Sequence, residues 1–217
     1  MTRIKICGIR DKTHALAAVE AGADFIGLVF ARSQRHVSPA QAREIAGTVK
    51  ESSHTAKVVG VFVNAPIFQV NEIADFCALD VVQLSGNESW EYCRKIVSPV
   101  IKAIRIGQQS PDELYAELSA ATKLLSRQRF VTLLDSQVKG KYGGTGESFD
   151  WNLAQKMARS FPVIIAGGLD ATNVAKLIEK VAPWGVDVSS GVETQGVKDM
   201  VKIGAFMEAV RKADESR

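Results

Sequence analysis

Cys7, Asp135 and two glycine-containing turns near the carboxyl end are the places in this chain where residue type and spacing could do chemistry. Cys7 ends the apolar run Ile4-Lys5-Ile6-Cys7, and Gly8 directly after it lets the backbone leave sharply. In a parallel α/β protein the residue at the carboxyl end of a strand faces the crevice where ligands bind. Cys7 therefore stands where chemistry would sit, although a buried structural thiol is the other fate open to it. Asp135 closes the apolar run Phe130-Val131-Thr132-Leu133-Leu134. At such a strand end partial burial favours the protonated acid and suits an aspartate to general-acid work, while the alternative role is a loop cap. Ala166-Gly167-Gly168-Leu169 and Asp187-Val188-Ser189-Ser190-Gly191 end two successive apolar runs. Small residues there let backbone N–H groups approach a phosphate, and two such turns on adjacent strands favour that reading over tight turning alone. His14, His36 and His54 share no metal-ligand spacing with one another or with a cysteine, so no metal site is expected.

The elements that must position these residues follow from hydrophobic patterning. Apolar runs rich in β-branched residues predict strands at Ile4–Cys7, Phe25–Phe30, Lys57–Val63, Val81–Leu84, Val100–Ile104, Phe130–Leu134, Val163–Ala166 and Val186–Val188. Between and after them, amphipathic segments predict helices at His14–Ala21, Pro39–Lys50, Ile67–Phe76, Glu88–Val97, Asp112–Leu125, Trp151–Arg159, Thr172–Val181 and Lys198–Lys212. Ser38-Pro39 and Ser110-Pro111 each offer a capping side chain followed by a proline at the first helical position. Regular alternation of strand and helix predicts an α/β fold, a single (β/α)8 TIM barrel spanning residues 1–217 as one domain. An open doubly wound sheet would carry Gly-x-Gly-x-x-Gly after its first strand, and here that turn reads Cys7-Gly8-Ile9-Arg10. The glycine-rich stretch within Ser136–Phe149 reads as a mobile lid or an ordered surface loop.

Composition narrows the function classes. With 46% hydrophobic and 24% charged residues, the 217-residue chain can bury a large core. A net charge of +3 with scattered basic residues excludes a nucleic-acid footprint but suits a small anionic substrate. Cys7, Cys77 and Cys93 are an odd number without paired spacing, which predicts a reducing, cytoplasmic setting. Met1-Thr2-Arg3 runs straight into a strand, so no leader is expected, and no stretch approaches the roughly 18 apolar residues of a membrane span.

Taken in order, Lys5-Ile6-Cys7-Gly8-Ile9, Gln83-Leu84-x-Gly86, Leu134-Asp135, Gly143-Gly144-Thr145-Gly146 with Phe149-Asp150-Trp151, Ala166-Gly167-Gly168-Leu169, and Asp187-Val188-Ser189-Ser190-Gly191-Val192-Glu193 followed by Gly196-x-Lys198-Asp199 resemble the phosphoribosylanthranilate isomerase family from end to end. The resemblance implies a (β/α)8 barrel that carries out the Amadori rearrangement of N-(5′-phosphoribosyl)anthranilate in tryptophan biosynthesis, without a cofactor. It implies Cys7 as general base, Asp135 as general acid and Arg35 as the partner of the anthranilate carboxylate. Asp187 is expected on the substrate, and Gly167, Gly168, Ser189, Ser190 and Gly191 on its phosphate. Gln34 stands where the family has proline, and Ser85 where it has histidine.

A small anionic phosphosugar is then the expected partner, with neither nucleic acid nor membrane, and a monomer is expected in preference to a homodimer. Other phosphosugar barrels remain as alternatives. An aldolase would want a Schiff-base lysine at a strand's carboxyl end, but Lys5 and Lys102 lie inside strands. An aminoaldose isomerase would carry an aspartate at position 7, and a non-catalytic phosphosugar-binding protein would need neither Cys7 nor Asp135. Lys5 shares a strand face with Cys7 by the period-two rule. Its ammonium would either favour the thiolate or balance a buried carboxylate.

Overall fold

Eight apolar runs form strands β1 (Arg3–Cys7), β2 (Phe25–Val29), β3 (Lys57–Phe62), β4 (Val81–Leu84), β5 (Val100–Arg105), β6 (Phe130–Asp135), β7 (Val163–Ala166) and β8 (Gly185–Val188) in the computed structural model, which describes residues 1–106, 110–125, 130–135 and 151–217. Neighbours pair in parallel in chain order, and β8 returns to β1 to close the barrel. Helices α1 (Lys12–Glu20), α2 (Pro39–Ser52), α3 (Ile67–Phe76), α4 (Trp90–Arg94), α5 (Pro111–Leu124), α6 (Trp151–Ala158), α7 (Val174–Val181) and α8 (Met200–Glu215) follow their strands around the outside. The expected α/β architecture, a (β/α)8 barrel, is the observed one.

The period of two decides what each strand shows to the barrel and what it shows to the helices. Ile4, Ile6, Ile26, Leu28, Val58, Val82, Leu84, Val186 and Val188 pack outward with buried helix residues such as Ala15, Ile45, Leu177 and Phe206. A smaller cluster of Val59, Ile101, Leu133, Ile164 and Ala166 fills the barrel interior. Cys7, Val29 and Val61 form a third apolar group on the carboxyl ends of the first three strands. The thiol is thus the interior residue that ends β1.

Local chemistry sets the helix starts. Ser38 and Ser110 each make the full capping box, with Gln41 and Glu113 returning a side-chain bond to the cap amide. Asp11 caps α1 through the His14 amide, so that helix begins at Lys12, before the expected His14. The segment expected as a helix over Glu88–Val97 is shorter, because Ser89 is its cap and Glu88 is turned away to other partners. The expected final helix from Lys198 also starts later. Thr194-Gln195-Gly196-Val197 is a hairpin turn with left-handed Gln195 (φ 51°) and Gly196 (φ 78°), joining two-residue strands β9 (Glu193–Thr194) and β10 (Val197–Lys198). Lys198 therefore lies in β10, and Asp199 caps α8 by accepting from Val201 and Lys202.

Candidate active site

At the seam that closes the barrel, β1 and β8 run in register with Lys5 opposite Asp187. Lys5 Nζ donates to Asp187 Oδ1 at 2.8 Å, and the lysine side chain has no exposure to solvent. Burial disfavours the ammonium, but the Asp187 carboxylate and the neighbouring Cys7 more than offset this and hold the Lys5 pKa above the ordinary lysine value. Both roles foreseen for Lys5 meet here, since it balances a buried carboxylate and adjoins the thiol. For Cys7 burial dominates and pushes the thiol up, while Lys5 works against that, Asp187 adds to it, and Lys198 also favours the thiolate. The depressed cysteine pKa that Lys5 alone would produce is not what results.

Gly27 of β2, opposite Cys7 in register, leaves the room these groups occupy. A Cβ built there would stand 2.9 Å from Cys7 Sγ and 3.1 Å from Lys5 Nζ. Gly27 was legible only as a glycine inside an apolar strand, the usual sign of a close approach by another group.

A second charged group lies beside the first. Arg35, in the loop between β2 and α2, donates from Nε to Glu193 Oε1 at 2.7 Å and from Nη2 to Glu193 Oε2 at 2.6 Å. Lys198 donates to the same Oε1 at 2.7 Å, as its cross-strand partner in the β9–β10 hairpin. Burial works against the Glu193 carboxylate, but bonds from Arg35 and Lys198 outweigh it and hold the pKa at about 2. Lys198 is pulled below the ordinary lysine value by burial, which Glu193 only partly offsets. Lys198 also donates to the Ser189 carbonyl at 2.9 Å, and Ser189 Oγ donates to the Cys7 carbonyl at 3.0 Å. Gly8 has φ 80°, and a Cβ there would run into Arg35 Cδ, so the turn after Cys7 needs glycine both for its conformation and for the arginine lying across it.

The remaining expected residues lie on the same rim. Asp135 ends β6, with β7 and β8 between it and Cys7. Gly167 and Gly168 are both left-handed (φ 97° and 64°), and Asn173 Nδ2 ties the Gly168 carbonyl at 2.9 Å. A Cβ on Gly191 would overlap the Leu169 carbonyl, so the turns after β7 and β8 pack directly together. Ser190–Val192 form a short 3₁₀ turn. The Ser189 hydroxyl is directed to β1 through its bond to Cys7. Gln83 in β4 is buried and donates from Nε2 to Ser85 Oγ at 3.0 Å, so the serine that stands in the family's histidine position holds this amide. Gln34 receives Arg10 Nη1 on its carbonyl at 3.0 Å, a backbone contact open equally to proline. The stretch expected as a lid or an ordered surface loop, Ser136–Phe149, with Gly143-Gly144-Thr145-Gly146, lies outside the described residues. Among the described residues no group of His, Cys, Asp and Glu could hold a metal ion, and no helix is long and apolar enough to cross a membrane.

Glu193 and Lys198 fall in the stretches that resemble the family, but residue type and spacing alone assign neither a role. Lys198, five residues after Glu193, falls at the start of the expected final helix rather than in a strand. The Gln195-Gly196 turn that folds them onto one another was the available signal.

The family model for N-(5′-phosphoribosyl)anthranilate isomerase matches residues 4–209. The chain is 45% identical to the N-(5′-phosphoribosyl)anthranilate isomerase of Dehalococcoides mccartyi over 100% of its own length and 99% of the relative's. It superimposes on the phosphoribosyl anthranilate isomerase of Thermotoga maritima with a TM-score of 0.81 at 38% identity, covering 98% of this chain and 100% of that one. A crystal structure of the isomerase in complex with reduced 1-(o-carboxyphenylamino)-1-deoxyribulose 5-phosphate is similar at a TM-score of 0.79 and 36% identity, over 98% and 100% of the two chains. With the barrel, its motifs and full-length identity in agreement, the chain belongs to the N-(5′-phosphoribosyl)anthranilate isomerase family.

Proposed function

We propose that this chain is the isomerase of tryptophan biosynthesis that converts N-(5′-phosphoribosyl)anthranilate into 1-(2-carboxyphenylamino)-1-deoxyribulose 5-phosphate, with Cys7 as base and Asp135 as acid. The observation that carries the residue assignment is the setting of Cys7, an interior thiol at the barrel mouth beside a buried lysine. Around it stand the cations Lys5, Lys198 and Arg35 and the anions Asp187 and Glu193. That set carries one net positive charge, which a Cys7 thiolate neutralises.

Asp135 donates a proton to the furanose ring oxygen, the C1–O bond breaks, and the nitrogen lone pair forms the protonated Schiff base. The Cys7 thiolate then takes the C2 proton, and the electrons of that C–H bond flow toward nitrogen to give an enolamine. Loss of the C2 hydroxyl proton and protonation at C1 yield the ketone. The electrons rearrange within the substrate, so no outside oxidant or cofactor is required. Arg35 meets the anthranilate carboxylate and Asp187 a polar group of the substrate. Backbone amides at Gly167, Gly168, Ser189, Ser190 and Gly191 hold the phosphate, using remote binding energy to fix the sugar. The whole chain acts as one domain and as a monomer in the cytoplasm, a setting supported by its three free cysteines.

Mixing the purified protein with N-(5′-phosphoribosyl)anthranilate and following the loss of its fluorescence tests the activity. Cys7→Ser should lower turnover by about 10²–10⁴-fold, because a serine hydroxyl is far too weak a base. Near-parental turnover in that variant would overturn the assignment of the base.

A further inference from the structure

Glu193 binds two cationic side chains that approach it from different directions. Arg35 crosses the Gly8 turn from the β2–α2 loop, and Lys198 comes from the opposite strand of the hairpin. Its side chain is only 5% exposed, and its carboxylate receives Arg35 Nε and Lys198 Nζ on Oε1 and Arg35 Nη2 on Oε2. The Nε–Nη2 edge of the guanidinium is thereby fixed. Since the group is planar, its end edge, Nη1 with the second hydrogen of Nη2, is turned away from Glu193 in a set direction. We infer that Glu193 is a positioning residue, which with Lys198 aims the end edge of Arg35 at the substrate's aromatic carboxylate and so sets the preference for a carboxylate-bearing ring.

The inference rests on the assignment of Arg35 to that carboxylate, and it adds a physical requirement. Arginine is flexible, and an unheld guanidinium loses side-chain entropy each time it binds. A built-in carboxylate that orients it beforehand removes much of that cost. Lys198 completes the arrangement because a lone Glu193–Arg35 pair could swing together, whereas the lysine ties Glu193 to the Ser189 carbonyl at the end of β8.

Glu193→Gln tests this directly. Arg35 and Lys198 are donor-only groups, and a carboxamide offers one acceptor oxygen and one NH2, so at least one of the three bonds must be given up. The probes are reduced 1-(o-carboxyphenylamino)-1-deoxyribulose 5-phosphate and its counterpart lacking the ring carboxylate, with both affinities measured by calorimetry. Glu193→Gln should weaken the carboxylate-bearing probe about tenfold, the size of one lost charge-assisted bond, and leave the other within about twofold. Glu193→Asp, too short to reach both cations, should show the same selective loss and serves if the glutamine variant does not fold. A purely structural role would weaken both probes alike, and that result overturns the inference. Arg35→Met separates the two layers. If it abolishes the discrimination while both Glu193 variants keep it, the positioning role fails and Arg35 stands. If Arg35→Met itself leaves the discrimination intact, the Arg35 assignment and this inference fall together.

Discussion

Burial and charge pull the Cys7 thiol in opposite directions, and the balance determines how the residue titrates. Burial wins, so the thiol stays protonated to higher pH than a free cysteine, with Lys5 and Lys198 limiting the rise. Alkylation of Cys7 followed against pH should therefore give a midpoint above that of free cysteine. Lys5→Met removes the principal counterweight while leaving Asp187, which disfavours the thiolate, so the midpoint should move further up. An identical profile in that variant would mean that the ammonium does not tune the thiol. At Arg35 the relevant quantity is geometry, because the charge survives in Arg35→Lys while the planar pair of donors does not. KM for N-(5′-phosphoribosyl)anthranilate should rise about tenfold in that variant, the cost of one charge-assisted bond, and an unchanged KM would reduce Arg35 to a loop charge.

At the scale of elements, loops rather than strands carry most of the polar structure. Glu88, which precedes α4, accepts from the amides of Asn64 at 2.7 Å and Gly86 at 2.9 Å and pairs with buried Lys102 of β5 at 3.1 Å. Lys102 also donates to the Gly86 carbonyl at 2.8 Å, so one ion pair joins the loops after β3 and β4. Glu88→Gln would leave a buried ammonium without its anion, at a cost of about 3–5 kcal/mol. For a chain of this size that corresponds to a fall in Tm of roughly 6–20 °C, measurable by calorimetry. The turns after β7 and β8 respond to shape instead. Gly191→Ala would press a methyl group into the Leu169 carbonyl and separate the two turns assigned to the phosphate. KM should rise about 10–100-fold with a smaller change in kcat, as expected when remote binding is disturbed. Equal KM in the variant and the parent would count against phosphate binding at these turns.

For the whole molecule, the two ends of the chain meet across the barrel seam, and buried charge is concentrated there. Glu193 contributes an acid sensitivity whose sign is fixed by its depressed pKa, about 2 against an ordinary 4.5. The folded form binds its proton later than the unfolded form, so the stabilisation is complete above about pH 4.5 and disappears as pH falls toward about 2. A depression of that size corresponds to roughly 3 kcal/mol at neutral pH. In Glu193→Gln the loss of stability between those two pH values should be correspondingly shallower in denaturant titrations. A parallel acid limb in parent and variant would show that the ion cluster adds nothing net to the fold. Lys5→Met leaves Asp187 unpaired at the seam and should destabilise by about 3–5 kcal/mol. The paired replacement Lys5→Met with Asp187→Asn should be milder, a comparison made by the same titrations.

The sequence by itself determined the eightfold alternation, and with it the barrel, because each strand and helix announces itself by a local period that needs no distant partner. It also placed Cys7, Asp135 and the two glycine-containing turns on the strands' carboxyl ends, since in a barrel chain order fixes which end of a strand faces the site. Helix starts marked by Ser38 and Ser110 were legible for the same reason, the cap and its partner lying three residues apart. Only the tertiary structure decided which charges would meet. Lys5 finds Asp187 across 182 residues and Arg35 finds Glu193 across 158, contacts made by closure of the barrel. A strand pattern indicates which face a side chain takes but not what will stand opposite it. That is why the thiol's direction of shift, set by burial against two lysines, could not be read from Cys7 and its neighbours in the chain, and why Glu193 and Lys198 acquired roles only when the Gln195-Gly196 turn brought them against Arg35 and Ser189.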